Sequence, residues 1–101
     1  MNRKSEKLLA FLGTGKRKAQ SVPEIADSLG LTAREVSALA NDLRTHNYNV
    51  VSDEKGLYLA ETDEEIKAFV IRQHNRAVSS FKGISHMRNY LKSKGLLPKG
   101  Y

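Results

Sequence analysis

The chain contains no cysteine and no tryptophan. Without cysteine there is no disulfide framework, no thiolate zinc site and no cysteine nucleophile. No apolar run approaches the ~18–20 residues that span a bilayer, and no membrane partner is expected. The opening Met-Asn-Arg-Lys-Ser-Glu-Lys lacks the apolar core of about 7–15 residues that marks a secretory signal, so the expectation is a small soluble domain in the cytoplasm. At 101 residues the chain is too short for a barrel enzyme or a full dinucleotide-binding fold, which need roughly twice that length or more. His46, His74 and His86 share no metal-ligand spacing with one another or with an acidic cluster.

What the chain does have is positive charge: 17 Lys+Arg against 11 Asp+Glu, a net +6. The excess is not spread evenly. Residues 1–20 carry a net +5, residues 21–46 a net −2, residues 47–60 and 61–81 a net −1 each, and residues 82–101 a net +5. A basic balance favours an acidic partner such as nucleic acid, but here the cations flank a mildly acidic centre. Affinity is therefore expected from the ends, and specificity from elsewhere.

The apolar pattern reads as helices, then a hairpin, then more helix. Leu8, Leu9, Phe11 and Leu12 repeat at helical spacing and predict a first helix over residues 5–12, stopped by Gly13-Thr14-Gly15. Lys16-Arg17-Lys18 forms a basic connector. Ser21-Val22-Pro23-Glu24 is a helix start, with a capping serine, proline in the first turn and glutamate three residues on. It predicts a helix over 22–29 that buries Ile25, Ala26 and Leu29 and ends at Gly30. Thr32 with Glu35 repeats the capping box, and Val36, Leu39, Ala40 and Leu43 make the inner face of a helix over 32–45. Tyr48–Ser52 and Leu57–Ala60 are β-branched or aromatic runs around Asp53-Glu54-Lys55-Gly56. They predict a hairpin over 48–60 with a four-residue loop. Thr62-Asp63-Glu64-Glu65 is a third capping box. Beyond it helical periodicity covers 61–94, as one helix or as two broken near Gly83, where glycine costs roughly 1 kcal/mol. Residues 95–101 are expected to be a loose tail.

The expected fold class is mainly α with a small β-hairpin: a three-helix unit with a wing over 1–60, plus a C-terminal helical extension. The stretch Ile25-Ala26-x-x-Leu29-Gly30-Leu31-Thr32, followed four residues later by Val36, resembles the helix-turn-helix family. Small Ala26 lets two helices approach, Gly30 takes the turn, Leu31 plugs the core and Val36 packs back. With Leu43-Arg44 and Lys55-Gly56-Leu57-Tyr58-Leu59, the chain is similar to the winged module of the biotin-repressor type. That resemblance implies a winged helix-turn-helix that places its third helix in the major groove of double-stranded DNA and its wing along the backbone. It marks Thr32, Arg34, Ser37, Ala38 and Asn41 as the DNA-facing stripe, with Arg34 suited to guanine and Asn41 to adenine. Lys16, Arg17, Lys18 and Lys55 are the expected phosphate contacts, with Arg3 and Lys4 beside them.

Val70, Ala77, Ile84 and Leu91 recur every seven residues and are the candidate dimerisation stripe, or else the wall of a small core. The acidic cap and the helix after it resemble the C-terminal helix of small winged-helix proteins encoded by phages and prophages. The function expected is a DNA-binding transcriptional regulator or replication accessory factor, with no cofactor, no metal and no enzymatic activity. Ala33, Ala38, Glu35 and Asp42 suit a second reading, an adaptor that docks a protein partner. RNA binding by the basic ends is a third reading, carried by charge alone. Gly13-Thr14-Gly15-Lys16 lacks the first glycine and the magnesium-binding hydroxyl of a phosphate-binding loop. Asp63, Glu64 and Glu65 are explained by capping.

Overall fold

A computed structural model describes residues 2–100; Met1 and Tyr101, the outer ends of the expected first module and tail, lie outside the described residues. The element order is α1 (Arg3–Phe11), a 3-10 turn at Lys16–Lys18, α2 (Val22–Leu29), α3 (Ala33–Thr45), β1 (Val50–Asp53), β2 (Gly56–Leu59) and α4 (Asp63–Ser93). The chain is mainly helical with one antiparallel two-stranded hairpin, an arrangement compatible with a winged helix. It divides into two compact units, Met1–Phe69 and Val70–Tyr101.

Each helix of the first unit begins where a side chain can replace a missing backbone partner. Asn2 caps α1 by accepting from the Ser5 N–H at 2.8 Å, which starts the helix two residues earlier than the apolar pattern does. Ser21 accepts from the Glu24 N–H at 3.3 Å. At α3 both halves of the box form: Thr32 Oγ1 accepts from Glu35 N–H at 3.1 Å, and Glu35 Oε1 accepts from Thr32 N–H at 3.2 Å. α2 ends at Gly30, whose φ of 66° is the left-handed conformation that glycine adopts without a Cβ clash. The next N–H, of Leu31, then reaches the Ala26 carbonyl at 2.9 Å and turns its side chain onto the core. α3 ends the same way through Asn47 at φ 72°, with Tyr48 N–H on the Leu43 carbonyl.

The core is the set of inward positions expected from the periodicity. Leu8, Leu12, Ile25, Ala26, Val36, Leu39, Ala40 and Leu43 are joined by Val50 and Leu57 of the hairpin, with Leu9, Phe11, Val22, Leu29, Leu31 and Leu59 half-buried around them. Fully burying one such aliphatic side chain contributes roughly 1.5–3 kcal/mol.

Two expectations for the wing change. The strands pair Val50 with Leu59 through Asp53 with Gly56, so only Glu54 and Lys55 lie between them, not four residues. Asp53 explains the tighter turn: its Oδ1 accepts from Lys55 N–H at 2.8 Å and its Oδ2 from the Tyr58 hydroxyl at 3.1 Å. Tyr48 lies outside the strand and is exposed. The connector is also bonded to the wing. On the edge of β2 away from β1, Gly15 N–H donates to the Leu59 carbonyl and Leu57 N–H to the Gln20 carbonyl, both at 2.8 Å. Gly56 makes this approach possible, since a Cβ there would run into the Gln20 carbonyl and the Ser21 nitrogen. α4 is continuous through Gly83, the first of the two alternatives; after it Gly95, at φ 69°, turns the chain so that Leu97 is half-buried and, with Pro98, walls a groove along α4.

Candidate functional site

α3 packs its inner face on α1 and α2, and the opposite face is left to solvent. Thr32, Arg34, Ser37, Ala38 and Asn41 are all exposed there. Arg34, Ser37, Ala38 and Asn41 follow i, i+3, i+4, i+7 spacing and so form one stripe.

The two acids of α3 stand elsewhere. Asp42 Oδ2 accepts the hydroxyl of Ser5, a fully buried residue of α1, at 2.6 Å. Glu35 closes the capping box and receives Lys4 Nζ at 3.0 Å. Lys4 and the Thr32 N–H hold the Glu35 carboxyl below its ordinary pKa. Both acids are thus committed to α1 or to the helix start, and the exposed stripe carries one cation and no carboxylate. Glu35 and Asp42, which suited the adaptor reading in the sequence, are therefore not free charges on the stripe.

The basic connector is drawn to the wing. Lys16 Nζ lies 3.3 Å from Glu54 Oε1 and 3.8 Å from Asp53 Oδ2, and Arg17 lies 3.9 Å from Glu61. A backbone hydrogen bond from its own N–H, and then the Lys16 contact, hold Glu54 below its ordinary pKa. Lys18 and Lys55 are exposed. Lys16, Arg17, Lys18 and Lys55 with Asp53, Glu54 and Glu61 leave this patch at only +1. Exposed ion pairs are worth about 0–1 kcal/mol, so a phosphate can displace one.

The geometry adds two residues that the sequence reading left out of the site. Arg44 is half-buried: its Nε donates to the Val50 carbonyl at 2.7 Å and its guanidinium stands 4.7 Å above the Phe69 ring. Burial pushes the guanidinium below its ordinary pKa. Arg44 therefore fastens α3 to the first wing strand and to the start of α4. Glu65 does the same for the connector, its carboxylate accepting from the N–H groups of Glu61 at 2.6 Å, Lys16 at 3.1 Å and Thr62 at 3.3 Å. These bonds, the Glu61 N–H foremost, hold Glu65 below its ordinary pKa. His46 Nδ1 sits 2.8 Å from the Asp42 carbonyl, a cap at the end of α3.

In the second unit, Val70, Ala77 and Ile84 of the sevenfold stripe are exposed and Leu91 is half-buried. Among the described residues no group of three His, Cys, Asp or Glu is placed to hold a metal ion, and no helix is long and apolar enough to cross a membrane. Comparison with known proteins found no family model, no curated protein and no solved structure that matches this chain.

Proposed function

We propose that the chain is a double-stranded-DNA-binding protein of the winged helix-turn-helix kind, a transcriptional regulator or replication accessory factor. In this reading α3 lies in the major groove and the β1–β2 hairpin follows the backbone. The observation that carries it is the acid-free polar stripe of α3, with Asp42 and Glu35 both engaged away from it. Arg34 reads guanine O6/N7 and Asn41 an adenine edge. Thr32, Ser37, Lys18 and Lys55 supply phosphate contacts, and Lys16 and Arg17 join when phosphate outcompetes the wing acids.

The test is fluorescence anisotropy with random duplex and with duplex enriched by binding-site selection, each over a salt series. Phosphate contacts from the four cations Lys16, Arg17, Lys18 and Lys55 give a slope of log K against log salt of about −3.6. Arg34→Ala is expected to cost about 1–3 kcal/mol and relax the choice of base at one position, whereas Lys55→Ala weakens all sequences alike and lowers the salt slope by about 1. Absence of binding at low and high salt alike contradicts the reading.

One observation favours a second reading, a protein-docking adaptor. With Lys16 and Arg17 set against wing acids, Arg34 is the sole exposed cation on α3 among the described residues. A stoichiometric protein partner that survives nuclease treatment, combined with no duplex binding, would establish it.

A further inference from the structure

The second unit leaves an unusual amount of apolar surface uncovered. Val70, Ile71, Val78, Phe81, Ile84, Met87, Tyr90 and Leu96 are all exposed. Exposed aliphatic and aromatic side chains clustered on one element mark an interaction surface, not ordinary solvent-facing positions. Two parts of that surface differ in shape. Toward the C-terminal end of α4, Phe81, Ile84, Met87 and Leu91 form a groove of about 510 Å³ with Leu97 and Pro98 of the returning tail. Toward the N-terminal end the same stripe presents the exposed Val70 and the small Ala77, while Ile71 and Val78 lie about 100° round the helix from it. Val70, Ala77, Ile84 and Leu91 keep the sevenfold spacing that holds a seam facing a partner helix.

Charge along α4 is polarised in the same sense. Residues 61–78 sum to −1, with Asp63, Glu64 and Glu65 in the first turn, and residues 79–101 sum to +5 with no acid at all. A second copy laid parallel would set +5 against +5. Laid antiparallel, it sets each acid-bearing start against a cationic end and each Val70–Ala77 stretch against a groove. Turning about a point between Ser80 and Phe81 places Val70 opposite Leu91 and Ala77 opposite Ile84, a small residue against a large one at both ends.

We propose that α4 is a self-recognition element, and that the occupant of its apolar groove is the Val70–Ala77 stretch of the seam from a second copy bound antiparallel. The contact is isologous, with each copy's Val70–Ala77 stretch in the other's groove. It does not rest on the DNA reading, and it stands or falls separately from it.

The absence of native cysteine makes the geometry directly readable. Val70 and Leu91 are about 31 Å apart along one helix. Full-length Val70→Cys and Leu91→Cys chains are refolded together, and each alone, then oxidised. The expected result is a disulfide-linked product from the mixture and none from either chain alone. Self-linking of each single variant means a parallel pair and overturns the proposal. No linking in any sample, with a monomeric sedimentation mass for the unsubstituted chain at 100 µM, overturns it as well, whether or not the monomer then binds anionic vesicles or an acidic helical peptide. Charge is tested separately by sedimentation. Asp63→Lys with Glu64→Lys is expected to weaken self-association about tenfold, and adding Lys92→Glu with Lys94→Glu restores it to within about threefold. Failure of that rescue, with both variants as helical as the parent by circular dichroism, contradicts the antiparallel charge match.

Discussion

Replacing Arg44 with methionine tests whether one side chain joins the third helix to the wing. Methionine keeps most of the apolar stem, so packing along α3 is largely retained. What disappears is the 2.7 Å bond from Nε to the Val50 carbonyl and the guanidinium 4.7 Å above Phe69. A hydrogen bond from a charged donor contributes ~1.5–3 kcal/mol, and a half-buried cation–π contact ~0.5–2 kcal/mol. These contributions are not strictly additive, and the expected cost is about 3 kcal/mol. At ~4–8 °C per kcal/mol for a domain of this size, thermal unfolding followed by far-UV circular dichroism falls by about 12–24 °C. Phe69→Leu alone removes only the ring and is expected to cost about 1 kcal/mol, with a coupling of about 0.5–1.5 kcal/mol to Arg44→Met in a double-mutant cycle. Arg44→Lys restores the charge but not the planar fork, and recovers less than half the loss. A cost for Arg44→Met below about 0.5 kcal/mol, against the range worked above, would refute the reasoning.

Further outcomes follow from the same contacts. Ser5→Ala removes the hydroxyl that holds Asp42 at 2.6 Å and is expected to cost about 1–3 kcal/mol by urea titration, with most of the loss coupled to Asp42→Asn. Gly56→Ala drives a methyl group into the Gln20 carbonyl; it should destabilise the first unit and weaken the amide-exchange protection of Leu57 and Leu59. Gly83→Ala meets open space and is expected to stabilise α4 by up to about 1 kcal/mol, read as increased helicity. Glu35, Glu54 and Glu65 all have folded-state pKa values below the ordinary 4.5. Their contribution is therefore present above that value and is lost as pH falls through the lower folded values. Stability should hold from neutrality to about pH 5 and decline below it, less steeply in Glu65→Gln.

Local signals were legible in the sequence because they act over three or four residues. The capping pairs Ser21–Glu24, Thr32–Glu35 and Thr62–Glu65 all form, and Gly30 ends α2 where the periodicity stops. The inner face of α3 was equally plain, since Val36, Leu39, Ala40 and Leu43 report it by spacing alone. What stayed hidden were partners far apart in the chain. Nothing near Gly15 or Gln20 announces that they bond to the β2 backbone, and nothing near Lys16 announces Glu54. The wing loop was misread by two residues because Asp53 and Gly56 look like turn residues, yet they face each other as the last pair of the ladder. The direction of Asp42 depends on a serine 37 residues away. For the candidate site, residue types were readable, but which charges remain available on α3 was decided by tertiary contacts.

The central claim is that the exposed stripe of α3 meets DNA. An amide-correlation NMR titration with a selected duplex at low salt tests it most directly. The account predicts shifts concentrated at Arg34, Ser37 and Asn41, with smaller ones at Lys18 and Lys55, while Glu24 and Asp27 on α2 stay unmoved. Shifts confined to residues 70–100 with α3 silent, or no shifts at saturating duplex, would contradict it.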